Sequence, residues 1–172
     1  MLVGDLVGLR AIERKDLDLL LSWRNKPNLR RYFREYRELN SDQQESWYEN
    51  KVISDPSTIM LSIINLISGE LIGACGLCYI DWINRSADFS IYLGAEDQYI
   101  DSILAPDAGR LLIRYAFDEL NLRRLWSEIY EYDNPKIKMF EQLGFYLDGR
   151  HKQTHWAEGS WHDSLFFGLL VE

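Results

Sequence analysis

Few side chains in this sequence combine the type and the spacing that chemistry requires. Cys75 and Cys78 stand in GACGLCYI at C-x-x-C spacing. As half a metal site they would need a second pair, which the chain lacks. As a redox pair they would open a helix, whereas their surroundings read as a strand, so buried, apolar-like cysteines are the simpler reading. His151, His155 and His162 lie near one another without four-ligand spacing, which favours surface or sheet histidines over a metal centre. Glu128 and Glu131 fall in RLWSEIYEYD, where strand alternation sends them to opposite faces, so only one of them can serve a given cleft. The most informative run is DNPKIKMFEQLGF, Asp133 to Phe145: a polar turn opens an amphipathic helix, Gly144 ends it, and Phe145 starts a strand.

The elements that must hold these groups follow from periodicity. Val7, Leu9 and Ala11 mark a strand, and Leu17, Leu20, Leu21 and Trp23 mark a helix that Pro27 stops. Residues 28–39 read as an irregular or partly helical connection rich in arginine and tyrosine. Ser41 and Gln44 have capping-box spacing ahead of a second helix through Ile53. Three strand-like runs come next, TIMLSIINLI, LIGACGLCYID and RSADFSIYLG, the first two joined at Ser68-Gly69-Glu70 as a hairpin and the three together forming an antiparallel meander. A long helix opens near Pro106, then a strand carries Glu128, then the Asp133–Phe145 device, and two last strands join at Glu158-Gly159-Ser160. The expectation is a single α/β (α+β) domain over 1–172, with a mixed, mostly antiparallel sheet of six to seven strands and four flanking helices.

Composition bounds the partners. The 172 residues are 47% hydrophobic and 27% charged, the profile of a soluble globular domain. No apolar run is long enough to cross a bilayer, and the N-terminus has no signal pattern, so a cytoplasmic location without membrane association is expected. A formal net charge of −8 argues against a nucleic-acid backbone and is compatible with a cationic substrate.

The element order, together with the Asp133–Phe145 device, resembles the GNAT superfamily of acetyl-CoA-dependent N-acetyltransferases. WRNKP at Trp23–Pro27, SWYEN at Ser46–Asn50, ADFSIYLG and LLIRYAFDELNLRRL look like its subgroup containing ribosomal-protein N-terminal acetyltransferases and certain amino-sugar acetyltransferases. The resemblance implies acetyl-CoA as donor and a primary amine as acceptor, either a protein N-terminus or a small amine. A nucleotide-linked amino-sugar acceptor and a noncatalytic ligand-binding or assembly module are the alternatives.

The resemblance also implies site residues. Asp88 on the fourth strand is the first choice of base, with a salt bridge as its other reading, and Glu128 is the second choice. Backbone groups around Ile91, Tyr92 and Leu93 would align the pantetheine arm between splayed strands. The segment before the long helix, QYIDSILAPDAGR, has no glycine until Gly109 and no basic residue until Arg110, with Asp101 and Asp107 nearby. It departs from the basic, glycine-rich diphosphate turn of the family, which leaves Gly109 and Arg110 as the positions that the resemblance implies would meet the cofactor. Asn134 matches the helix-opening Asn that binds the arm or caps the helix, with Asp133 the ungapped match. Phe140 stands where many members carry a tyrosine acid, and Lys136 stands where some carry a serine. Trp23, Arg24, Asn25, Tyr32 and Trp47 come from the helices that wall the acceptor site. Trp156 and Trp161 read as a homodimer surface, an acceptor wall or core packing.

Overall fold

A computed structural model describes residues 1–171. Eight strands form one sheet in the order β1-β2-β3-β4-β5-β6-β8-β7. They are β1 (Leu2–Val3), β2 (Val7–Ala11), β3 (Ile59–Asn65), β4 (Leu71–Asp81), β5 (Ser86–Leu93), β6 (Arg124–Tyr130), β7 (Tyr146–Ala157) and β8 (Ser160–Leu170). The α-helices are α1 (Leu17–Arg24), α2 (Pro27–Arg30), α3 (Ser41–Trp47), α4 (Leu104–Arg114) and α5 (Asn134–Gln142). Among the described residues, no helix is long and apolar enough to cross a membrane.

The mixed, mostly antiparallel sheet matches expectation, and three local readings are corrected. The two-residue β1 is too short to leave a period in the sequence, so the strand count rises to eight. Pro27 does not merely stop a helix; it occupies the first turn of the short α2, where a missing N–H leaves nothing unsatisfied. The cap of α3 is Asn40, not Ser41: Asn40 Oδ1 accepts from the Gln43 amide at 2.9 Å, and Gln43 Oε1 accepts from the Asn40 amide at 3.0 Å. Asn40 has the extended backbone that a cap requires, while Ser41 is already helical.

Helices cover both faces of the sheet. On one, Ala108, Leu111 and Leu112 of α4 and Met139 and Phe140 of α5 pack on Leu77, Phe89, Ile91 and Leu125. On the other, Leu17, Leu20, Trp23 and Leu29 pack on Ala74 and Tyr99. Each leucine, isoleucine, methionine or phenylalanine among them contributes about 1.5–3 kcal/mol when removed from water. The two cysteines divide between these faces as strand alternation requires: Cys75 is in the first core, and Cys78 lines the opposite side.

One pairing sets up everything that follows. β5 and β6 are the only parallel neighbours among the described strands, and they pair only at Ser86↔Arg124, Ala87↔Leu125 and Asp88↔Trp126. β5 runs on to Leu93, whereas β6 runs on to Tyr130 along its other partner, β8. The strands therefore part just beyond Asp88, and the facing edges at 89–93 and 127–130 do not pair with each other. Buried backbone groups need partners, so a slot of this kind is suited to an extended ligand.

Candidate active site

The cleft at the parting of β5 and β6 has a volume of about 340 Å³. Of the residues singled out in the sequence, Asp88, Glu128, Ile91, Tyr92, Lys136, Arg24, Tyr32 and Trp47 line it. Six others, Leu93 among them, lie outside its lining. Trp23 is core, packed so closely that a Cβ on Gly94 would come within 2.1 Å of its ring. Asn25 clasps the backbone of Leu39. Gly109 is buried inside α4, where a Cβ would meet Leu143 of the α5 end at 2.6 Å. Arg110 is exposed beside Asp107, at 3.6 Å. Asn134 is exposed, and the cap of α5 is Asp133, which accepts from the Lys136 amide at 3.1 Å.

Leu93 is buried at the end of β5, where its amide donates to the Tyr99 carbonyl at 2.8 Å. Tyr99 Oη in turn donates to Asp133 Oδ2 at 2.7 Å, which ties the loop after β5 to the start of α5 across the far end of the slot. Burial raises the Asp133 pKa against the opposing pull of Lys136 and the Tyr99 hydroxyl.

Asp88 sits where the two strands part, only 4% exposed. Its Oδ2 accepts from Arg34 Nη1 at 2.9 Å, and its Oδ1 is buried without a hydrogen-bond partner. Burial raises its pKa above the ordinary aspartate value, and the Arg34 charge opposes that rise. Glu128 lies across the slot, with Ser164 Oγ donating to its Oε1 at 2.5 Å and Arg34 Nε at 3.8 Å from its Oε2. Lys136 is half-buried and projects from the first turn of α5; burial lowers its pKa, while Asp133 and Asp88 work to keep it charged. Phe140 is fully buried, edge-on to Phe89 with ring centres 5.5 Å apart, and holds α5 to the sheet.

Sequence reasoning missed Arg34, Glu35, Tyr130 and the Lys51–Asp55 pair, all of which line the cleft. Arg34 and Glu35 lie in the connection read as irregular, where no period marks the residues that turn inward. Tyr130 was legible only as one face of β6; it stacks on His155 at 3.6 Å.

A parted parallel pair in a mixed sheet, with carboxylates at its fork and a helix starting beyond it, is the arrangement that the resemblance to acetyl-CoA-dependent acetyltransferases implies. The acetyltransferase (GNAT) domain family matches residues 7–146, and the chain belongs to that family. It is an N-acetyltransferase whose acyl donor is acetyl-CoA. The chain is 30% identical over 160 residues to a spermidine N(1)-acetyltransferase of Vibrio cholerae, covering 90% of this chain and 87% of that one. The crystal structure of spermidine N-acetyltransferase from the same organism, in complex with CoA and spermine, superposes with a TM-score of 0.87 at 26% identity, covering 96% of this chain and 95% of that one. YdaF of Bacillus subtilis, named for a supposed ribosomal N-acetyltransferase activity, is 32% identical over 106 residues, only 61% of this chain and 56% of its own. The family is thus as expected, while similarity along most of the chain runs to spermidine acetyltransferases and to an uncharacterized N-acetyltransferase, p20 of Bacillus licheniformis.

The residues fit the two ends of acetyl-CoA unequally. The parted strand edges and Lys136 suit the acyl end, which needs backbone partners and positive charge. At the first turn of α4, Asp101 carboxylate oxygens accept from the Leu104 amide at 3.1 Å and the Ala105 amide at 2.7 Å. Pro106 has no N–H, and the Asp107 amide donates to the Ile103 carbonyl at 3.3 Å. The amides that a helix start would offer a diphosphate are already bonded within the chain.

Proposed function

We propose that this N-acetyltransferase acetylates a primary amine of a small polycation of the spermidine type, with Asp88 as the base. The supporting observation is the cleft itself: Glu35, Asp55, Asp88 and Glu128 are distributed along one small cavity walled by Tyr32, Phe33, Trp47, Tyr79 and Tyr92. Carboxylates bind ammonium groups, and aromatic faces bind both the cations and the methylenes between them. Arg37 holds the Glu35 carboxyl down to about 2, so that carboxylate stays charged across the neutral range. Oligomer formation through the Trp156–Trp161 hairpin belongs to the same reading, because both rings are more than half exposed.

Acetyl-CoA supplies an activated acetyl group as a thioester. An amine at neutral pH arrives protonated and must lose a proton before it can attack. Asp88, with a pKa above the usual aspartate value, is a better acceptor for that proton than an exposed carboxylate would be. Glu128 holds a neighbouring ammonium, and Lys136 brings positive charge to the end of the cleft where the thiolate departs.

A second reading rests on Arg24. Its guanidinium lies over the Trp47 ring at 5.5 Å, and its Nε is buried without a hydrogen-bond partner, an arrangement that suits an acceptor bearing a carboxylate or phosphate. The deciding experiment is an initial-rate assay with acetyl-CoA and spermidine, a nucleotide-linked amino sugar and an N-terminal peptide as separate acceptors. Saturable acetylation of spermidine, with kcat/KM at least about ten-fold above the other two, is expected. Acetylation of the sugar or the peptide in preference replaces the polyamine reading.

A further inference from the structure

Residues 31–40, between α2 and α3, form a strap over the acceptor end of the cleft. It is pinned at three places. Tyr132 Oη donates to the Arg31 carbonyl at 2.7 Å. Tyr32 stacks on Tyr99, with ring centres 4.1 Å apart and planes 9° apart. Asn25 Nδ2 donates to the Leu39 carbonyl at 2.8 Å, and the Leu39 amide donates to Asn25 Oδ1 at 2.9 Å.

Between those pins, Arg34 leaves the strap and enters the cleft. It bonds Asp88 at 2.9 Å, approaches Glu128 at 3.8 Å, and places its guanidinium carbon 5.9 Å from the centre of the Tyr79 ring. Two carboxylates and an aromatic face are what an alkylammonium seeks. The contact is also unevenly buried: the Asp88 side chain is 5% exposed, whereas 42% of the Arg34 side chain remains in water. Arg34 can therefore withdraw into solvent, but Asp88 cannot follow it. Asp88 Oδ1, buried and unpartnered, leaves one acceptor of the carboxylate unused while Arg34 holds the other.

We propose that Arg34 is a resident stand-in for the acceptor's ammonium, so that the strap occupies the acceptor site until an entering amine replaces the guanidinium at Asp88 and Glu128. This rests on the reading that the cleft accepts a cationic amine. A guanidinium does not deprotonate near neutral pH, so it fills the site without reacting. A monoamine offers one cation for two carboxylates, whereas a polyamine offers a second and can satisfy both.

The test uses the full chain without acetyl donor, with methylguanidinium as the titrated probe. Arg34→Ala is expected to bind it with a Kd at least about ten-fold below that of the parent, and Arg34→Ala/Asp88→Asn is expected to lose the gain. Equal Kd values for the parent and Arg34→Ala overturn the proposal, as does a gain that survives removal of the Asp88 charge. Arg34→Met keeps the aliphatic stem and serves as the second variant should the alanine form fail to fold. This titration needs no acetyl transfer, so its outcome stands apart from whether spermidine is the acceptor.

Discussion

Asp88 is held between two opposing effects, removal from water and the nearby charge of Arg34, and the first prevails. A raised carboxyl pKa keeps a base protonated, and so inactive, to a higher pH than an ordinary aspartate. The acid limb of kcat/KM should therefore lie above the usual aspartate range. Removing Arg34 deletes the charge that restrains the rise, so Arg34→Ala should move that limb further up. Asp88→Asn should lower kcat by about 10²–10⁴-fold and abolish the limb. A pH–rate profile with the same limb and rate in Asp88→Asn would remove Asp88 from proton transfer. Phe140 shows the opposite economy at this scale: it has no proton to give, and its ring is committed to the packing of α5 against Phe89, Phe145 and Phe167.

At the scale of elements, the site depends on how helices are started. α5 begins at Asp133, a buried cap that bonds the Lys136 amide and receives the Tyr99 hydroxyl, so one carboxylate both starts the helix and ties down the loop after β5. α4 begins at residues whose amides are bonded to Asp101, which closes a helix start to other anions. α3 begins at Asn40, next to the Asn25–Leu39 clasp that pins the strap. Asn40→Ala should cost about 1 kcal/mol of stability through loss of the bond its side chain accepts from the Gln43 amide, measured by denaturant unfolding. A change below the error of that measurement would show that the box does not hold α3 in place.

For the whole molecule, charge matters at a distance. A net charge of −8 raises the local concentration of a polycation around the cleft, and that attraction is screened by salt. Between about 0.01 M and about 0.15 M ionic strength the screening length shrinks from about 30 Å to about 8 Å. The KM for spermidine should rise several-fold over that range and that for n-butylamine less. Equal responses would show that only contacts inside the cleft discriminate between the two.

How much of this was legible follows from how each feature is encoded. Strand alternation and helical spacing depend on residues close in the chain, so the order of the major elements, the Glu158-Gly159 turn and the helix-then-glycine device around Asp133–Gly144 were readable from the sequence. The family followed from that order, and with it Asp88 and Glu128 as carboxylates on neighbouring strands. The two-residue β1 and the short α2 are below the length at which a period exists. Arg34 was not legible because its meaning lies in Asp88, 54 residues away, and Glu128, further still, which only the parting of β5 and β6 brings to one cleft. Gly109 and Arg110 were candidates for the cofactor's diphosphate by position alone, in a segment unlike the usual turn; tertiary packing decided that one lies against Leu143 and the other faces solvent. Local sequence determined the elements and their order, because those energies are local. Which side chains share a cleft was decided only by the assembled sheet, because the desolvation and charge pairing that define the site arise between segments distant in the chain.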